Sequence, residues 1–137
     1  YMDFIDYKII DLLSENSKLS LNKLSEIINL SIPSTRERIL KLQDQGIITK
    51  YTVDIDFKKL GYEIEVIIEL TIKNNLYSDF KTFISNQVFV DECFRVSGDS
   101  CFMFKARFKT MRDVESFIDT IQKYGHSKTH FIFSKTK

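Results

Sequence analysis

Four glycines, two histidines and two cysteines among 137 residues leave little material for phosphate loops, metal cages or a disulfide framework. No Gly-rich phosphate-binding run and no HExxH pattern is present, and no motif assembles a nucleophile, a base and an oxyanion stabiliser, so neither enzymatic activity nor a cofactor is expected. Cys93 and Cys101 lie either side of a tight turn expected at Gly98-Asp99, where hairpin pairing sets Cys93 nearer Phe104 than Cys101. Two free thiols follow, suited to a reducing compartment, and two cysteines with two histidines are fewer ligands than a structural metal site wants. No stretch approaches the run of about 18 apolar residues that a membrane span needs, and no charged-then-apolar leader opens the sequence, so a cytoplasmic protein is expected, with no membrane partner. A strong charge of one sign is missing too. The net charge is +1, with 9 basic and 9 acidic residues up to Leu60 and 11 against 10 after it. Global charge therefore does not announce nucleic acid, and any DNA-binding role must rest on local placement. Repeats and low-complexity segments are absent as well.

What is present is an apolar fraction of 43%, enough to pack one ordinary domain or two small ones. Residues 3 to 16 carry Ile5, Ile9, Leu12 and Leu13 at the spacing of one buried helical stripe, with Asp3 as N-cap. Ser20 caps a second segment through Leu21, Leu24, Ile27 and Ile28, which Asn29-Leu30-Ser31 interrupts. Ser31 then caps a third helix with Pro33 in its first turn, where a missing N–H does no harm, and with Ile32, Thr35, Ile39 and Leu42 as inner stripe. Gly46 ends it. Residues 47 to 56, rich in β-branched side chains, read as a short strand, and Phe57 to Gly61 as a joint.

From Tyr62 to Lys73 the alternation is strict. Ile64, Val66, Ile68, Leu70 and Ile72 fall on one side, and Glu63, Glu65 and Glu69 with Ile67 on the other, which predicts a half-buried strand. Helical spacing returns at Phe80, Phe83 and Ile84, followed by extended runs from Val88 to Val96 and from Cys101 to Phe108. A helical stripe through Val114, Phe117, Ile118 and Ile121 and a last strand over Ser127 to Lys135 complete a β-α-β-β-α-β order. That order is the ferredoxin-like arrangement, an antiparallel sheet with two helices on one face. The fold class is α+β: a trihelical, winged-helix-like helix-turn-helix over residues 1–50, a strand linker over 51–61, and a ferredoxin-like domain over 62–137.

Two helices joined by a turn of three or four residues suit a helix-turn-helix, in which the second helix projects outward to meet the major groove. The inner stripe leaves Pro33, Ser34, Glu37, Arg38, Lys41 and Asp44 outward or lateral. Ser34 can donate to phosphate or base, Arg38 can address guanine through two hydrogen bonds, and Lys41 can neutralise a phosphate. Equally, Arg38 and Lys41 can simply solvate an exposed face, pairing with Glu37 or Asp44.

The run LSIPSTRERILKLQDQGIITKYTVDIDFKKLG, together with Val96-Ser97-Gly98-Asp99 and the terminal strand, resembles the Lrp/AsnC family of leucine-responsive regulators over nearly the whole chain. The resemblance implies a DNA-binding first domain and a second domain that assembles protomers and senses an amino acid. It puts Ser31, Pro33, Ser34, Arg36, Glu37, Arg38 and Lys41 on the recognition helix. Where the family often has two adjacent basic residues, this chain has Glu37 beside Arg38, with Arg36 displaced toward the core side. Glu37 can accept from a cytosine amino group or orient Arg38, and the second role is favoured. The expected partners are double-stranded DNA, a second copy of the chain in a homodimer or a higher oligomer of dimers, and an amino-acid effector. Gly98, Asp99 and Ser100 are ligand-loop candidates by the same resemblance, and Ser127 and Thr129 match small hydroxyl positions on the last strand. Ser100 and Cys101 stand where the family often has an aromatic and an acidic residue, so a different effector, weak binding or none is expected. The competing reading is an effector-binding or interaction module whose helix-turn-helix no longer reads DNA.

Overall fold

A computed structural model describes residues 1–73, 75–98 and 101–137, which form two compact units, Tyr1–Ile55 and Asp56–Lys137. In the first unit, α1 (Phe4–Glu15), α2 (Leu21–Ile28) and α3 (Ile32–Asp44) each start where a side chain can satisfy free N–H groups. Asp3 and Asp6 form a reciprocal capping box at 3.0 and 3.1 Å, Ser20 accepts from the Lys23 N–H, and Ser31 accepts from the Ser34 N–H. Asn29 ends α2 in the left-handed region at φ 60°, a conformation its short polar side chain tolerates. The core of the unit is Ile9, Leu24, Ile28 and Leu42, with Ile5, Leu12, Leu13 and Ile39 packed against it.

Two expectations fail in this unit. Ile32 is 37% exposed at the first helical position, and Thr35, one turn on, takes the buried place with its hydroxyl donating to the Ser31 carbonyl at 2.9 Å. Residues 47–56 form no strand. The N–H groups of Ile47 and Ile48 both donate to the Leu42 carbonyl to close α3, and Tyr51, Val53 and Ile55 are exposed. β-branched composition favours extended backbone, but a strand exists only against a neighbour, and none among the described residues pairs with this stretch.

The second unit opens with a short 3-10 turn at Phe57–Leu60. It continues as β1 (Ile64–Ile72), α4 (Tyr77–Ser85), β2 (Val90–Val96), β3 (Cys101–Phe108), α5 (Met111–Ile121) and β4 (Gly125–Phe131). The sheet order is β2-β3-β1-β4 with all pairs antiparallel, the ferredoxin-like topology the element order predicts. Val66, Ile68 and Leu70 are fully buried, with Ile72 nearly so, and face α4 and α5 across an aromatic cluster. Phe80 is its centre, with ring centroids 5.1 Å from Phe102, 5.5 Å from Tyr124 and 6.1 Å from Phe104. Cys93 pairs in register with Phe104 and Cys101 with Val96, so hairpin pairing holds the two thiols apart and both are free. Gly125 sits where backbone meets backbone: a Cβ there would lie 1.9 Å from the Thr71 carbonyl oxygen. No helix among the described residues is long and apolar enough to cross a membrane.

Candidate nucleic-acid interface

The turn between α2 and α3 is three residues long, which sets the second helix across the first. Thr35 and Leu42 mark the buried line of α3. At roughly 100° per residue, Pro33, Glu37, Leu40 and Asp44 lie within about 30° of the opposite direction. Arg36 and Lys41 flank that centre by about 70° on either side, and Arg38 lies about 130° away, beside the buried line. Burial agrees: Pro33, Arg36, Glu37, Leu40, Lys41 and Asp44 are exposed, Ser31 is exposed at the cap, and Ser34 and Arg38 are half-buried. Arg36 is therefore not turned toward the core, because the helix packs along Thr35 and Leu42 and not along the residue between Thr35 and Glu37.

Arg38 is not part of the outward face. Its Nη1 donates to both carboxylate oxygens of Asp3 at 2.7 and 2.8 Å and to Asp6 at 3.0 Å. The hydrogen bond with Arg38 holds the Asp3 carboxyl below its ordinary value, and the same bond raises the guanidinium above its own. The physical cause is the capping box: it concentrates two carboxylates at the α1 N-terminus, and the half-buried side of α3 presents the cation to them. Arg38 thus braces α3 against α1, and neither the guanine contact nor the partnership with Glu37 expected for it matches this geometry. Glu37, Arg36 and Lys41 enter no ion pair among the described residues.

The signal missed in the sequence was Leu40. It is 50% exposed at the centre of the outward face, where an inner-stripe reading of α3 passes over it.

In the second unit, Gly98 adopts φ 110°, the left-handed turn geometry expected of it, while Asp99 and Ser100 lie outside the described residues. Ser127 and Thr129 pair with Leu70 and Ile68, so both point to the helix-covered side of the edge strand β4 and are half-buried. Gly98 and Ser127 share one end of the sheet, but Gly98 is in the turn between β2 and β3 and Ser127 is on β4, about two and a half strand spacings or roughly 12 Å apart across the sheet. Among the described residues, the fold therefore sets Gly98 apart from Ser127 within a protomer.

Residues 65–137 match the family model of the Lrp/AsnC ligand binding domain, and residues 2–49 match that of a winged helix-turn-helix DNA-binding domain. The transcriptional regulator LrpC of Bacillus subtilis is 40% identical over 98% of this chain and 93% of its own length. LrpA of the same organism is 32% identical over 98% and 99%. The solved structure of B. subtilis LrpC superposes with a TM-score of 0.96 at 39% identity, covering 100% of this chain and 98% of that one. A Neisseria meningitidis regulator solved with L-Met shares the fold at a TM-score of 0.94 and 24% identity, over 100% of this chain and 93% of its own.

The chain belongs to the Lrp/AsnC family. It is a helix-turn-helix transcription regulator of that type, and its two compact units correspond to the DNA-binding and ligand-binding parts of the Lrp/AsnC organisation. The trihelical unit and the antiparallel sheet with its helices are the Lrp/AsnC fold expected from the residue pattern.

Proposed function

We propose that α3 enters the major groove of double-stranded DNA with Pro33, Glu37 and Leu40 toward the base edges, while Arg36, Lys41 and the hydroxyls of Ser31 and Ser34 hold the phosphates on either side. The observation that carries this reading is the layout of α3: an uncovered centre between two cations, neither of them engaged by a carboxylate among the described residues. Cations set about 70° to each side can reach backbone phosphates without occupying the middle of the groove. The first unit is this reading head and the second the domain that assembles and senses, and the protein acts in the cytoplasm.

One such helix recognises a half-site only, so assembly is part of the function. The open face of the sheet supports self-association. Ile67, Met103, Val96 and Phe94 form an apolar band there, with Phe94 55% exposed. Its neighbouring carboxylates have partners within the protomer: Glu65 pairs with Lys105 at 2.9 Å, and Glu69 is hydrogen-bonded to the His130 ring at 2.8 Å. A band whose flanking carboxylates already have partners within the protomer loses little by being covered with a second copy. The effector is a small molecule of amino-acid type held near the Gly98 turn with Asp99 and Ser100. Ser127 and Thr129 take part from another protomer, a reading supported by the separation of Gly98 from Ser127 across the sheet.

A gel-shift titration against the DNA upstream of the chain's own gene tests the reading. Retention should fall steeply and log-linearly as salt rises. Retention that is absent at low salt would instead support an interaction module that no longer reads DNA.

A further inference from the structure

With Arg38 tied to Asp3 and Asp6, the centre of the outward face holds no basic side chain. What stands there is Pro33, the carboxylates of Glu37 and Asp44, and one large apolar group, Leu40. Leu40 makes no part of the unit's core: the apolar residues packed there are Ile9, Leu24, Ile28 and Leu42 with their neighbours, and its side chain is left 50% exposed. An isolated exposed leucine needs no explanation on an ordinary surface. This one is flanked by Arg36 and Lys41, the two cations that the reading of α3 above sets on the phosphates, so any apolar group between them meets the groove floor.

The major groove offers one apolar feature to such a group, the C5-methyl of thymine. Leu40 stands seven residues after Pro33, roughly 10 Å along the axis, about three base-pair steps for a helix that follows the groove. From this geometry we infer that Leu40 is a specificity-determining residue that packs against a thymine methyl in each half-site. The contact would select thymine over cytosine at that step by methyl burial and not by a hydrogen bond. This inference rests on α3 being the groove-reading helix.

The test uses the full chain and a duplex enriched by it from a randomised pool. Each thymine of the enriched duplex is replaced in turn by deoxyuridine, which removes the methyl and leaves base pairing unchanged. Loss of one buried methyl should weaken binding about fourfold. Deoxyuridine at one position per half-site should show that loss with the wild-type chain, and Leu40→Ala should bind the thymine duplex more weakly and be indifferent to deoxyuridine there. Because Leu40 is outside the core, the variant should melt like the wild type. Enrichment of a duplex with no methyl-sensitive position, or equal sensitivity in Leu40→Ala, overturns the leucine contact and leaves the DNA reading standing. Failure to enrich any duplex at low salt overturns the DNA reading and the contact with it.

Discussion

Arg38 and Lys41 are three residues apart on α3, and the structure assigns them opposite fates, which salt dependence can separate. Lys41 is exposed on the flank of the outward face, and Arg38 donates three hydrogen bonds to the carboxylates at the start of α1. Each neutralised phosphate contributes about 0.9 to the slope of log affinity against log salt. Lys41→Ala should therefore lower that slope by about 0.9 per half-site. Between 50 and 200 mM salt, the wild type should lose about three to four times more affinity per half-site than the variant does. Arg38→Ala should leave the slope unchanged and lower the melting temperature, because the buried Asp6 and the capping box lose their cation. A loosened α3 can weaken binding by the same factor at every salt concentration, so the slope, and not the affinity at one condition, is the deciding readout. Fluorescence anisotropy on a labelled duplex at five or six salt concentrations, with thermal melts of both variants, supplies the data. A slope reduced as much by Arg38→Ala as by Lys41→Ala would refute the brace, since the guanidinium would then be on a phosphate.

Other outcomes follow from particular side chains. The Arg38 hydrogen bond lowers the Asp3 carboxyl below its ordinary 3.8, so its stabilisation is present above that pH and is lost as pH falls through the lower folded value. The melting-temperature gap between wild type and Asp3→Asn should accordingly be wide at pH 7 and narrow at pH 3, and an equal gap at both refutes the pairing. Gly125→Ala places a methyl against the Thr71 carbonyl, backbone that cannot swing aside, and should cost on the order of 1–3 kcal/mol in denaturant melts; an unchanged midpoint would mean that β4 shifts freely. Burial pushes the Cys93 thiol up to about 11, so in the folded protein it should resist alkylation at pH 8 and react once the chain is unfolded. Rapid labelling of Cys93 in the native state, read by mass spectrometry, contradicts that burial.

Much of the architecture is local chemistry and could be read along the chain. Asp3, Ser20 and Ser31 are short polar side chains immediately before helical stripes, and each does cap the helix that follows it. The alternation of Ile64, Val66, Ile68, Leu70 and Ile72 against Glu65 and Glu69 sets which face of β1 is buried, because a strand has a period of two wherever it lies. The strand expected over residues 47–56 misled for the complementary reason: its composition is local, but a ladder needs a neighbour, and composition carries no record of one.

By itself, the sequence determined the helix-turn-helix, the βαββαβ order and the separation of Cys93 from Cys101, since caps, periodicity and hairpin register all act over a few residues. Only the tertiary structure decided what α3 presents outward. Periodicity places Arg38 at the border of the buried stripe and cannot say which way a long, flexible side chain turns. Carboxylates at Asp3 and Asp6, 35 and 32 residues away in sequence, draw it inward, leave Glu37 and Leu40 uncovered, and so change the chemistry of the face proposed to meet DNA.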